Sequence, residues 1–231
     1  MTNTTQRAMA LLIAACAAHA RADLITNGGF ESGFSGWVRA DQVGSLGTFA
    51  DQTGTLSPVN ALPVPAPPQG LHAAMTDAAA PGSHILYQDI VIPASVPGAT
   101  IQFSLFINNT ATAFSTPATL DFATPTLNQQ ARVDLVTTTA DPFSVAAADI
   151  LQNLFQTTIG SPLVTPYNAF NLDITAVLAA HAGQTLRLRF AETDNVNIFN
   201  LGVDAVSVTV PAPAAGLLAV PLMLVCARRR R

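Results

Sequence analysis

Thr185-Leu186-Arg187-Leu188-Arg189-Phe190 alternates polar and apolar residues with a period of two, the pattern of a strand with one face on a core. The reading aims Leu186, Leu188 and Phe190 inward and Arg187 and Arg189 outward. The same rhythm recurs on either side of this stretch. Ile101, Phe103, Leu105 and Ile107 share a face of the segment that opens at Thr100, and Arg132-Val133-Asp134-Leu135 and Phe170-Asn171-Leu172-Asp173-Ile174 also alternate. Val206, Val208 and Val210 repeat the pattern near the end, and His84 to Ile92 reads as a further strand stopped by Pro93. Strands that recur with turn signals between them predict an all-β fold, an antiparallel β-sandwich of about eight to ten strands.

One or two short helices complete the expected inventory. Thr175 is placed to cap a turn from Ala176 to His181 with Gly183 as the stop. Ala147, Ile150, Leu151, Leu154 and Phe155 fall at helical spacing after the Asp141-Pro142 break. Two segments read as loops. Leu56 to Gln69 holds five prolines and is expected to be extended, and Asn108 to Gln129 is rich in Thr, Ala and Pro with little periodicity.

The two ends have a different character. Arg7 precedes an apolar stretch from Ala8 to Ala18, followed by small residues at Ala18, Ala20 and Ala22, which is the layout of a secretory signal peptide over residues 1–22. Cleavage after Ala22, cleavage after Ala20 and acylation of Cys16 in Ile13-Ala14-Ala15-Cys16 are all open readings; the first leaves Asp23 as the new N-terminus. At the other end, residues 210–231 form a Pro-flanked turn, an apolar run of 14 residues from Ala214 to Ala227, and Arg228, Arg229, Arg230 and Arg231. That run is about 21 Å long as helix, short of a roughly 30 Å hydrocarbon core, and Pro221 interrupts it. The arginine cluster belongs on the cytoplasmic side. Both a processed tail and a plain C-terminal membrane anchor remain open.

Val210, Pro211, Pro213 and Ala214 in this arrangement resemble the V-P-x-P-A variant of the bacterial PEP-CTERM sorting signals. The resemblance implies export, a transient inner-membrane tether, cleavage by an exosortase-type transpeptidase, and delivery to the cell surface or extracellular matrix. Between the two ends, residues 23–209 remain for one domain. Asn27-Gly28-Gly29-Phe30-Glu31 with Gly33, Gly36 and Trp37 opens it, and Leu201-Gly202-Val203-Asp204-Ala205-Val206-Ser207-Val208 closes it. Together with Gln88 to Pro93 and Gln184 to Phe190, these resemble the opening N-G-x-F-E…W and closing D-x-V-x-V signatures of galactose-binding-like jelly rolls, a fold shared with carbohydrate-binding modules. The resemblance implies that first and last strands are neighbours, with Glu31 and Asp204 supplying carboxylates to a structural calcium. It also places Trp37 in the core. Calcium takes oxygen ligands, and the Gly28-Gly29 turn lets carbonyls approach closely. The bland alternative has Glu31 bonded to turn amides and Asp204 capping a strand end.

Charge narrows the partners. The fourteen carboxylates all fall within residues 23–209, against four of the ten arginines and no lysine, a formal charge of −10. Such a surface repels phosphate backbones and excludes nucleic acid as a partner. The two cysteines, Cys16 and Cys226, lie in the targeting segments, so the domain has no disulfide and depends on its core. Two glutamates, Glu31 and Glu192, and scattered aspartates single out no glycosidase pair. His72, His84 and His181 read as surface or turn residues, with no metal-binding spacing. Glu192-Thr193-Asp194-Asn195 reads as the most polar loop. Tyr87, Tyr167 and Asp194 are the candidate ligand contacts. The expected function is a non-catalytic surface or matrix protein associating with exopolysaccharide. A dedicated carbohydrate-binding module is the alternative, and a hydrolase comes third.

Overall fold

A computed structural model describes residues 21–78 and 81–211. In chain order it contains β1 (Arg21–Asp23), β2 (Val38–Asp41), β3 (Phe49–Thr53), β4 (His72–Thr76), β5 (Gly82–Val91), β6 (Thr100–Asn109), β7 (Gln129–Thr137), β8 (Ile150–Gln156), β9 (Val164–Asp173), α1 (Thr175–Ala180), β10 (Thr185–Asp194) and β11 (Phe199–Pro211). One sheet has six strands in the order β3-β4-β11-β6-β9, with β1 also on β11; the other has five in the order β2-β5-β10-β7-β8. Every pairing is antiparallel. Numbered from β4 to β11, the eight central strands fall as 1-8-3-6 and 2-7-4-5, the order of a jelly roll. The fold class expected from the alternating strands is therefore the one observed. The count is eleven strands rather than eight to ten, because β1, β2 and β3 extend the sheets.

The apolar positions of each strand meet between the sheets. Phe103, Phe190, Trp37, Phe30, Leu135 and Leu188 belong to one buried cluster, and its rings meet in sequence, Phe30 and Phe190 tilted against Trp37 and Phe103 edge-on to Phe190. Burial of side chains of this size contributes about 1.5–3 kcal/mol each. Trp37 is thus a core residue, and its Nε1 donates to the Asn27 carbonyl at 3.0 Å.

First and last strands are neighbours, as the resemblance implied. Arg21, Ala22 and Asp23 pair with Pro211, Val210 and Thr209, and Leu24 N donates to Val208 O. Val210 is buried. Pro213, Arg228, Arg229, Arg230 and Arg231, with residues 1–20 of the expected signal peptide, lie outside the described residues. Among the described residues no helix is long and apolar enough to cross a membrane.

Five expectations are corrected. The segment with helical spacing before Phe155 is strand β8, whose register on β7 shifts twice. Thr175 does not cap α1; its Oγ1 accepts from Ala99 N and the cap residue is Ile174. Glu192, Thr193 and Asp194 are not a loop but the buried end of β10, and His84, also buried, is not a surface residue. Finally, Arg187 and Arg189 do point to the outer face of their sheet but are not solvated. Residues 141–149 fold over that face, and Arg189 is 0% exposed, donating to Pro142 O, Ser144 O and the Asp134 carboxylate.

Candidate metal site and ligand grooves

The Asn27 to Trp37 loop leaves β1 and returns to the core through Phe30 and Trp37. Asn27 ties it: its Nδ2 donates to the carbonyls of Gly33 and Ser35, and its Oδ1 accepts from Ser32 N. Gly28 presses against β11, where a Cβ would lie 1.8 Å from Val206 O. Val206 N donates back to Gly28 O. That bond is available because β11 is bulged between Asp204 and Ser207, which turns Val206 away from β6. Non-glycine residues with positive φ gather here, Asn27 at 55°, Phe30 at 56° and Ala205 at 52°. Backbone strain of this kind clusters where the surroundings over-determine it, often at binding sites.

Glu31 and Asp204 converge on one four-residue segment from opposite sides. Glu31 Oε1 accepts from Leu71 N at 2.8 Å and His72 N at 3.0 Å. Asp204 Oδ2 accepts from Gln69 N at 2.8 Å, and its Oδ1 from Ala205 N at 2.6 Å. Gly70 sits between the two anchors at φ +65°, and a Cβ there would lie 2.2 Å from Glu31 Oε1. The two amides hold the exposed Glu31 carboxyl below its ordinary range. Asp204 differs. It is 0% exposed, and burial, with the Glu31 carboxylate adding to it, pushes its carboxyl up to about 6 despite the two amides. Among the described residues no arginine or histidine pairs with it. The sequence singled out Glu31 and Asp204 but not their partners Gln69 to His72, which carry no motif and are brought in by the proline-rich loop.

The donor set suits a hard cation. Two carboxylates of opposite elements and a glycine-opened turn offer oxygen alone, and a buried carboxylate without a positive partner is what an added cation would relieve. The residues therefore fit calcium. No group of three or more His, Cys, Asp or Glu that could hold a metal occurs among the described residues, so further ligands would be carbonyls or water.

Tyr87, Tyr167 and Asp194 are not brought together. Tyr87 lies on the outer face of the five-stranded sheet, with the Arg187 guanidinium 3.8 Å over its ring centre and Arg187 forked onto Asp89. Tyr167 lies on the outer face of the other sheet, packed on Phe106, with its hydroxyl donating to Gln52 Oε1 at 2.6 Å. Burial, and the charge of Asp204 close by, push that hydroxyl's pKa up. Asp194 is inside the sandwich, accepts from Gly82 N, and is pushed up to about 7 by burial.

Two open grooves lie elsewhere. A groove of about 370 Å³ runs between Pro63 and Pro65 of the proline-rich strap, the end of β6 at Asn108, and Thr165 of β9. A second, of about 420 Å³, adjoins it across Leu163 and is lined by Asn109, Thr112 and Ser161. Both are within the size of small-ligand sites. Among the described residues neither is lined by a charged side chain; amide and hydroxyl side chains share the walls with apolar ones, Pro63, Pro65 and Phe106 in the first and Phe114 in the second.

No family model matches the sequence, and no curated protein matches it. Solved structures of similar architecture include TmCBM61 in complex with β-1,4-galactotriose, at 12% identity and TM-score 0.45 over 81% of this chain and 97% of that one. The K3 cleaved adhesin domain of Lys-gingipain from Porphyromonas gingivalis W83 is similar at 14% identity and TM-score 0.49, over 82% and 99%. The Stig cyclase Fisc from Fischerella sp. TAU is similar at 18% identity and TM-score 0.49, over 84% and 100%. A sugar binder, an adhesin domain and a cyclase are three different functions. The fold assignment for this chain rests on its own strand order.

Proposed function

We propose that this chain is a non-catalytic, exported surface or extracellular-matrix protein whose jelly-roll domain associates with neutral polysaccharide and is locked by a structural calcium ion. The observation that carries the glycan reading is the pair of adjoining uncharged grooves. Their amides and hydroxyls match a polyhydroxylated ligand, while Pro63, Pro65 and Leu163 offer apolar faces. A domain of charge −10 keeps anionic polymers away and leaves neutral ones as partners. Calcium would be held by Glu31 and Asp204. It would neutralise the one buried carboxylate at the loop and fasten the Asn27 to Trp37 loop, the Gln69 to His72 segment and the β11 bulge to one another.

The hydrolase reading lacks access. Burial raises the carboxyls of Glu192 and Asp194, the direction a general acid needs, but they are 1% and 5% exposed inside the sandwich. Export through residues 1–22 and processing through residues 210–231 by an exosortase-type enzyme at the inner membrane complete the proposal. Intact mass of protein recovered from the cell surface tests that part: retention of Arg228 to Arg231 leaves the plain anchor.

A glycan array with the purified protein in calcium tests the rest. Binding to neutral glycans that weakens in Asn108→Ala and Thr165→Val supports the groove. Micromolar or tighter binding to one defined glycan favours a dedicated carbohydrate-binding module. No binding to any neutral glycan overturns the ligand reading.

A further inference from the structure

At one end of the sandwich interior four ionisable side chains meet across three strands. Asp41 ends β2 and lies opposite His84 on β5, which in turn lies opposite Glu192 on β10; Asp194 follows on the same face, opposite Gly82. His84, Glu192 and Asp194 are 1%, 1% and 5% exposed. His84 Nδ1 is 2.7 Å from Asp41 Oδ1, and Asp194 Oδ1 accepts from Gly82 N at 3.0 Å. Two buried atoms of the directly opposed pair, His84 Nε2 and Glu192 Oε1, have no hydrogen-bond partner. A buried polar atom in that state costs free energy, so the cluster is a point of weakness unless its charge is controlled.

The neighbouring elements bring no lysine or arginine to the cluster. On the other side of β10, β7 presents Gln129 and Ala131 in register. Arg39, two residues before Asp41 on β2, is engaged by the Phe49 carbonyl and the Phe34 ring. The facing sheet contributes Phe49 and Leu201 to the core. Asp77, the buried acid after β4, is taken up by the amides of Val59 and Asn60 and by the Asn60 and Asn200 side chains.

What the cluster underlies is a weak edge. β2 has four residues, is largely exposed, and pairs with β5 alone. The segment after it is fixed to the same end of β5: Gln42 N donates to Ser83 O, Leu46 N to Pro81 O, and Ser83 N to Ser45 Oγ. We propose that the Asp41–His84–Glu192–Asp194 cluster is a proton-operated latch, which holds β2 and residues 42–47 closed while Glu192 and Asp194 are protonated and lets them open when those protons are lost. Burial raises both carboxyls, with Asp194 and Asp41 adding to the effect on Glu192, and Asp194 rises to about 7. Groups with raised folded-state values stabilise the closed form below the ordinary carboxylate range near pH 4 and cease to do so as pH rises through 7 and above. Two new carboxylates beside Asp41 must then be hydrated or repel, and the short edge strand is the element that yields.

Hydrogen exchange on the full chain between pH 5 and 9, corrected for intrinsic base catalysis, reads this directly. An Asp204→Asn background removes the contribution of Asp204, whether or not that residue holds an ion. Protection of residues 38–47 is expected to fall about tenfold or more between pH 6 and 8.5, one pK unit of linkage or above, while residues 100–107 of β6 stay protected. Glu192→Gln should flatten the response; if that variant does not fold, Asp194→Asn serves the same purpose. Protection of residues 38–47 that is independent of pH, or an unchanged pH response in the folded variant, overturns the latch.

Discussion

Asp134 and Asp204 are both 0% exposed, and both lie on outer sheet faces covered by a loop, yet they are held in opposite ways. Burial drives Asp134 upward, but Arg132 grips it with two bonds of 2.6 and 2.8 Å, Arg189 adds a third at 2.6 Å, and Asn153 a fourth. The net effect holds its carboxyl below the ordinary range. Asp204 has only backbone amides and is pushed up to about 6. The same burial is thus neutralised from within the chain at one face, and at the other left for a proton or an outside cation. A buried ion pair is weak evidence of stability in itself; its value here is as a reference for what Asp204 lacks.

The largest expected effect tests that reference. Asp134→Ala strands two buried guanidinium groups, and breaking such a pair costs about 3–5 kcal/mol. At about 2–4 °C per kcal/mol for a domain of this size, the melting temperature should drop by roughly 10 °C. Asp204→Asn, measured without calcium at pH 7, should lower it far less or raise it. Equal losses in the two variants would remove the contrast.

Calcium comes next. If it binds only the folded protein, a hundredfold excess over Kd should add about 2.7 kcal/mol of stability, and EDTA should reverse the shift. Asp204→Asn should abolish the response and Asp134→Asn should preserve it. A wild-type melting curve indifferent to calcium and EDTA returns Glu31 and Asp204 to plain hydrogen bonding.

The pH response sharpens the contrast further. A carboxyl raised in the folded state stabilises it below the unfolded value near 4, and that contribution is lost as pH rises through about 6 for Asp204. A lowered carboxyl behaves in reverse: Asp134 stabilises above the unfolded value and loses that contribution only as pH falls below it. Calcium-free protein should therefore lose stability between about pH 4 and 6.5, by less in Asp204→Asn. Chemical denaturation across that range, with and without calcium, measures the difference, and calcium's benefit should grow over the same interval.

Much of this was legible in the sequence wherever side chains alternate. β5, β6, β7, β10 and β11 carry the period of two in their core positions, and the end motifs located Glu31 and Asp204. β8 was not legible, for a geometric reason. Its two bulges break the period, so that Leu151, Leu154 and Phe155 all reach the core, and their spacing mimics one face of a helix. β3 and β4 are short, and Ala73, Ala74 and Ala50 give no strong alternation. Glu192 and Asp194 read as loop because polar residues usually face water; here one end of the interior is itself polar. The covering of Arg189 depends on residues 141–149 folding over the sheet, a long-range contact that local pattern does not encode.

The smallest effect isolates the contact between the loop and the metal site. Gly70 and Gly54 both have positive φ, +65° and +71°, but a Cβ at Gly54 meets nothing within 4 Å, whereas one at Gly70 collides with the Glu31 carboxylate. Alanine at either position incurs the left-handed penalty of about 1–2 kcal/mol. Stability without calcium therefore cannot separate the two variants by much, since the exposed Glu31 side chain is free to swing aside. Calcium affinity should separate them. Gly54→Ala leaves the carboxylates where they are, and its Kd should match wild type. Gly70→Ala displaces Glu31 from Leu71 and His72, and disturbing the groups that orient a ligand weakens metal binding by about 10–100-fold. Calorimetric titration of the two variants reads this ratio. Equal calcium affinities would mean that Glu31 holds the loop and not the ion, leaving Asp204 as the only side-chain ligand on which the calcium reading stands.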